Sequence, residues 1–214
     1  RMNRGKVRQP GSVSQRYLAL RLVRGTRHAE HLLSLGGDAR RDIASVIDAL
    51  SGLRNVLADV DEDPHLLLSD EPRSSREERG GPLPPAEQLI DDILAAAEGL
   101  DLVGLYAGGP VYRGFANSLG QRNWHAVTTF NLQWSIYHRA DKAVKCAYAE
   151  LAWDPDEFHR RMAQARERLS LIARPSKSLS PGNYRAYLAP AAMEEVAQLL
   201  SWGGFSGRSL ATKQ

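Results

Sequence analysis

From Asp101 to Glu150 the chain reads as four strand-like runs, DLVGLYAGG, VYRGFANS, NWHAVTTFNLQWSIYH and KAVKCAYAEL, separated only by Gly-Gly-Pro, Leu-Gly and Arg-Ala-Asp. Each run is rich in β-branched and aromatic residues, and each break is a turn signal. Connections this short leave no room for the crossover that a parallel pair requires, so the runs are expected to form an antiparallel meander. Gly104, Gly108 and Gly114, inside or beside these strands, point to bulges or close backbone approach.

Helical patterns flank the meander. PPAEQLIDDILAAAEG opens on proline and stops at Gly99, with Leu89, Ile90, Ile93 and Leu94 on its buried side. DPDEFHRRMAQARERLSLIA has Asp154 as N-cap and Pro155 at the first helical position. Phe158, Met162, Ala165 and Leu169 form its apolar stripe.

Upstream, Leu18, Leu20 and Leu22 alternate with Tyr17, Ala19, Arg21 and Val23, the period of a half-buried strand. A turn at Arg24-Gly25-Thr26 and a returning strand in RHAEHLLSLGG complete a hairpin. Asp38 then caps a helix whose Ile43, Val46, Ile47, Leu50, Leu53 and Leu57 should pack on the hairpin's leucine face. The expected class is therefore α+β. A ββα layer unit at 1–69 is followed by a linker or mobile loop at 70–84, rich in charge, Pro, Gly and Ser. The helix–meander–helix unit occupies 85–175. A hinge, RPSKSLSPGN, then leads to a strand YRAYLA and a helix PAAMEEVAQLLSW, the expected start of a truncated β-rich C-terminal domain at 184–214.

Composition narrows the functional classes. The chain has 214 residues, 43% of them hydrophobic, enough for one large or two small domains. No stretch is long and apolar enough to span a bilayer, and RMNRGKVRQPGS lacks the apolar core of a signal peptide. A cytoplasmic protein without a membrane partner is expected. Starting on Arg1 and stopping after a helix and a glycine turn, the sequence reads as a fragment of a longer polypeptide. The single Cys146 excludes an internal disulfide and a multi-cysteine zinc site.

Net charge is +3, but residues 1–41 carry 10 Lys/Arg against 2 Asp/Glu, residues 42–101 carry 4 against 15, and residues 102–214 carry 14 against 8. The basic start could bind phosphates, or pair with the acidic segment that follows. A basic isoelectric point alone is a weak guide, and nucleic acid is the disfavoured partner.

No catalytic constellation stands out. His28 and His31 lie three apart on a strand, where such positions point to opposite faces, so a shared metal is not expected. His65, His125, His138 and His159 have no second ligand at zinc spacing. GGFSG at 203–207 follows a helix, where a phosphate-binding loop would precede one. Glu194 and Glu195 are adjacent on a helix and diverge by about 100°. Cys146 reads as a core thiol. What remains is YRGFANSLGQRNWH, a strand–turn–strand in which Asn117 and Gly120 tolerate positive φ. Folded about Ser118 and Leu119, it would set Phe115 against Arg122, with Trp124 diagonal to Phe115 and within reach of its ring.

DLVGLYAGGPVYRGFANSLGQRNWH, TTFNLQWSIYHRADKAVKCAYA, ARPSKSLSPGNYRAYLAPAAMEEV and GGFSGRSLA together resemble the TldD/PmbA (TldD/TldE) family of proteins linked to metal-dependent peptide hydrolysis. The resemblance spans most of the chain, and family members are about twice as long. It implies that one partner, TldD, carries a His-Glu-x-x-x-His zinc motif on a helix after a strand ending in Leu-Ala-Pro. Here Leu188-Ala189-Pro190 is present, but Gln198, Leu199 and Gly203 stand where the three functional residues would fall. The resemblance therefore implies a TldE/PmbA-like, non-catalytic half, with neither catalytic nor metal-binding residues of its own and zinc only in a partner subunit. Its partners would be a TldD-like zinc-bearing subunit or a second copy, and an unfolded peptide held by strand addition. On this reading Asn117, Ser118, Arg122 and Trp124 line or shape a peptide cleft, and Gly120 serves the turn. Two other expectations remain: an independent metallopeptidase with its ligands beyond Gln214, and a regulatory nucleic-acid module, in keeping with the family's description as a modulator of DNA gyrase.

Overall fold

The computed structural model describes residues 1–139 and 142–212. Ala140 and Asp141 of the expected Arg-Ala-Asp turn, and Lys213 and Gln214 at the end of the expected C-terminal segment, lie outside the described residues. The class is α+β. The chain forms two units, Arg1–Arg174 and Pro175–Gln214.

In the first unit, β1 (Met2–Asn3) and β2 (Lys6–Val7) make a small hairpin, with Arg4 and Gly5 at positive φ in its turn. β3 (Tyr17–Arg24) and β4 (Arg27–Ser34) pair antiparallel over their whole length, and α1 (Ala39–Val56) packs on one face of them. Asp38 caps α1 by accepting the Arg41 N–H at 3.0 Å, and Asp42 receives the N–H groups of Gly36 and Gly37 at 2.9 Å each. Only part of the expected stripe docks. Leu53 and Leu57 are buried, whereas Ile43 and Ile47 stay mostly exposed, because a two-stranded ribbon is too narrow to cover the helix.

β5 (Ser75–Arg79) falls inside the stretch expected as a linker at 70–84 and pairs parallel with the start of β7. Its sequence, SREER, has no apolar face and exposes every residue, so hydrophobic periodicity carried no sign of it. After α2 (Ala86–Ala96) come β6 (Asp101–Ala116), β7 (Arg122–Arg139), β8 (Lys142–Glu150) and α3 (Pro155–Ile172). The larger sheet runs β2-β1-β6-β7-β5, with β8 pairing the second half of β7. The expected N-terminal boundary is thus not a clean cut, since Met2 and Asn3 pair with Gly104 and Val103 of β6.

The meander has fewer, longer strands than expected. The Gly-Gly-Pro segment is not a turn, and β6 continues through it in unbroken register with β7, Gly108 opposite Phe130 and Pro110 opposite Thr128. Gly109, at φ +152°, permits an extended conformation that a side chain would resist. Pro110 lies in the part of β6 beyond its pairing with β1, on the side unpaired among the described residues, so its missing N–H removes no ladder bond.

The core sits on one face of the proximal sheet, under α2 and α3. Leu102, Phe130, Leu132, Trp134, Ile136, Val144 and Tyr148 from the strands meet Leu89 and Ile93 of α2 and Phe158, Met162 and Ala165 of α3. Burial of each large side chain contributes about 1.5–3 kcal/mol. Phe130 packs edge-on against Tyr148 and Trp153, at centroid distances of 4.9 and 5.3 Å. Asp154 caps α3 by accepting from the N–H groups of Asp156 and Glu157, at 2.9 and 3.3 Å. Gly104 has no side chain because the Trp134 Cβ and the Met2 terminal methyl fill that space.

The second unit contains α4 (Pro190–Ser201) and α5 (Gly207–Thr212). The expected strand YRAYLA is not formed: Tyr184–Ala189 pairs with no strand among the described residues, and a strand cannot persist without one. No residue of α4 is buried.

Candidate functional site

Beyond Gly108 the β6–β7 hairpin leaves the shelter of the helices, and it carries Val111, Tyr112, Phe115, Leu119 and Trp124 as exposed apolar side chains. Its tip is a five-residue turn, 117–121, between Ala116 and its partner Arg122. Asn117 organises it. Its side-chain Oδ1 accepts the N–H groups of Leu119 (3.1 Å) and Gln121 (3.0 Å), and its backbone N–H donates to the Gln121 carbonyl at 3.2 Å. Gly120 closes the turn at φ +91° and donates its N–H to the Asn117 carbonyl.

The odd loop length shifts the register by one residue from the expected fold about Ser118 and Leu119. Phe115 faces Asn123 rather than Arg122, and Trp124 faces Gly114. Phe115 and Trp124 therefore lie on opposite faces of the hairpin, because each one-residue slip turns every side chain over. Trp124 stacks instead on Tyr112, with centroids 5.7 Å apart and ring planes at 24°, and covers the bare backbone of Gly114. Tyr112, absent from the expected set, completes the only stacked aromatic pair on this arm among the described residues.

The other side of β7 is tied to β5. The Arg122 N–H donates to Ser74 Oγ at 2.9 Å, and Asn123 Nδ2 donates to the Arg73 carbonyl (2.9 Å) and Ser75 Oγ (2.8 Å). Gln121 Nε2 reaches Asn123 Oδ1 at 2.8 Å. Asn117, Ser118, Arg122 and Trp124 thus do sit together at one end of the molecule's first unit. Asn117 spends its carboxamide oxygen on the turn, Ser118 and Arg122 are exposed, and Trp124 is partly covered by Tyr112.

The backbone of β6 is the less visible part of this region. β1 covers its outer side only as far as Gly104, and from Leu105 to Ala116 no strand pairs with that side among the described residues. The Arg4 N–H donates to the Leu102 carbonyl at 3.1 Å, which shows that even-numbered β6 residues turn their backbone groups outward. Tyr106, Gly108, Tyr112, Gly114 and Ala116 therefore each present an N–H and a C=O on the free edge, and Pro110 presents a C=O alone.

Elsewhere, His28 Nε2 lies 3.3 Å from Asp63 Oδ2, joining the β3–β4 hairpin to the segment after α1. The His65 backbone N–H, followed by the His28 ring, holds the Asp63 carboxyl below its ordinary range. Burial pushes the Cys146 thiol up, against the weaker pull of Arg168 and Arg161, which favours a protonated thiol over a nucleophile. Among the described residues no group of three or more His, Cys, Asp or Glu side chains is arranged to hold a metal. At the positions aligned with the zinc motif, Gln198 offers an amide that donates to Glu194 Oε1 at 3.4 Å, Leu199 an exposed aliphatic chain and Gly203 no side chain, so this donor set does not fit zinc.

Compared with protein-family models, curated proteins and solved structures, the chain matches none of them.

Proposed function

We propose that this chain is a non-catalytic, peptide-holding partner in TldD/PmbA-type metal-dependent peptide processing. The observation that carries the reading is the free outer edge of β6. An extended peptide adds to such an edge through main-chain hydrogen bonds, with little demand on its sequence. Pro110 interrupts the row of donors, so the distal stretch Tyr112–Ala116 is the continuous part, where three residues offer both N–H and C=O. That length suits a peptide strand of about five residues, since alternate residues on each side exchange bonds. The Tyr112–Trp124 stack on one face and Phe115 on the other flank the peptide's side chains. Hydrolysis belongs to the zinc-bearing subunit, and this chain's residues hold and orient the backbone.

The test is co-purification with a zinc-bearing family member, followed by peptide cleavage with and without a chelator. Cleavage should need both chains and should be lost with chelator. Chelator-sensitive cleavage by this chain alone would overturn the reading. Gly114→Pro, which removes one outward N–H, should weaken peptide binding measured by fluorescence anisotropy by roughly twofold to tenfold, the equivalent of one backbone hydrogen bond.

A further inference from the structure

The distal arm of β6 is uneven on both of its faces. On the face that carries Tyr112 and Trp124, the side chains two apart along β6 belong to Tyr112, Gly114 and Ala116. Gly114 puts nothing between its neighbours, and a Cβ there would lie 3.4 Å from Trp124 Cε3. The indole thus leans from β7 onto the β6 backbone, next to the free edge. Trp124 and Tyr112 keep 39% and 60% of their surfaces exposed, so ring area is left over for a further contact. On the opposite face stand Arg113 and Phe115. Charge is uneven as well. In β5, Arg76 pairs with Glu78 and Arg79 with Glu77, whereas the Arg113 and Arg122 side chains reach no carboxylate among the described residues. Arg113 stands across from His125, not from an acid.

We infer that this edge selects its peptide: an extended segment with an aromatic side chain opposite Gly114, followed by an acidic one opposite Arg113. This selection rests on the peptide-holding reading and adds the chemistry of the peptide to it. β1 and β7 both join β6 antiparallel, and an antiparallel ladder is the more stable per residue, so the peptide takes that direction. Residues directly opposite one another project to the same face. The residue across from Gly114 therefore sets its side chain on the indole face, with no Cβ between it and Trp124 and with Tyr112 on the diagonal. A ring in that place meets both aromatics in the edge-on or offset arrangements that rings prefer. The next residue towards the peptide's C-terminus lies opposite Arg113, on the other face. Arg113 turns its backbone groups towards β7, so this is a non-hydrogen-bonded position of the new pair, where opposed side chains come closest. A carboxylate there supplies the partner that the guanidinium lacks, and a lysine is repelled. The residue before the ring faces Phe115 and is best apolar.

The probe is a fluorescein-labelled, threonine-rich peptide of about seven residues, with valine, phenylalanine and glutamate in that order at its centre, read by fluorescence anisotropy. Replacing its phenylalanine by alanine should weaken binding about threefold to tenfold. Replacing its glutamate by lysine should weaken binding by a similar factor, one that shrinks as salt is raised. Arg113→Glu, at an exposed position, should reverse the second order, so that the lysine peptide binds more tightly than the glutamate peptide. Trp124→Ala should abolish the preference for phenylalanine over alanine while the preference for glutamate over lysine persists. Circular dichroism matching the wild type checks the fold of both variants. Equal binding of all three peptides overturns the selection and leaves the peptide-holding reading standing. So does a charge order that Arg113→Glu fails to reverse, or a ring preference that survives Trp124→Ala. Failure of every peptide to bind the folded chain overturns both.

Discussion

Gly80 shows how much a single position can demand. It ends β5 at φ +85°, and a Cβ there would overlap the Thr128 carbonyl oxygen of the neighbouring strand. Neither the conformation nor the space admits a side chain, so Gly80→Ala should lower stability by about 1–3 kcal/mol, read by urea denaturation. Asn117 makes a different demand, since its carboxamide oxygen serves two backbone donors. Asn117→Ala should cost about 1 kcal/mol and accelerate amide exchange at Leu119 and Gln121 before any other part of the sheet. Glu157 is held below its ordinary value of 4.5 first by the Arg160 side chain and then by Arg161. A depressed folded pKa means stability that is present above the unfolded value and lost as pH falls through the folded one. The advantage of the wild type over Glu157→Gln should therefore be constant at neutral pH and should shrink below about pH 4.5, as thermal melts across pH 2–7 would record.

Among elements, α3 was the most legible and β5 the least. α3 announces itself by an N-cap, a proline at the first helical position and a stripe of Phe158, Met162, Ala165 and Leu169, of which the first three are buried and Leu169 is half-buried against the core. Phe158 meets Trp134 and Trp153 at 5.9 and 5.0 Å, so Phe158→Ala should cost about 3–5 kcal/mol in chemical denaturation, against about 1 kcal/mol for Asp154→Ala at the cap. β5 has no such local signature, because a strand with both faces exposed has no periodicity to display. Its parallel ladder with β7 is anchored by Ser74 and Ser75, which bond Arg122 and Asn123 from 48 residues away in sequence. The Gly-Gly-Pro of β6 misleads in the opposite direction. It is a turn signal by composition, and only the ladder with β7 shows that it is extended. The hairpin register has the same source, since residue types near 117–121 allow either an even or an odd loop, and the bonds to Asn117 Oδ1 select the odd one.

For the whole molecule, the two units differ in how they are held. The first has a continuous core from Met2 to Ala165, while α4 in the second buries no residue. Limited proteolysis should cut first between residues 175 and 189, outside any helix or strand, and release a fragment that ends near Arg174, identifiable by mass spectrometry. What the sequence by itself determined is the local inventory: an α+β chain, the capped helices, the apolar faces and the meander, all written in short-range periodicity and turn chemistry. Only the tertiary structure decided which strands share an edge, that Met2 completes the core beside Gly104, that β5 runs parallel to β7, and which faces of β4 and β6 stay open. Those outcomes depend on backbone hydrogen bonds and side-chain packing between residues tens of positions apart. The backbone bonds are formed by groups that every residue but proline carries, so residue types at either end do not record which partner is chosen.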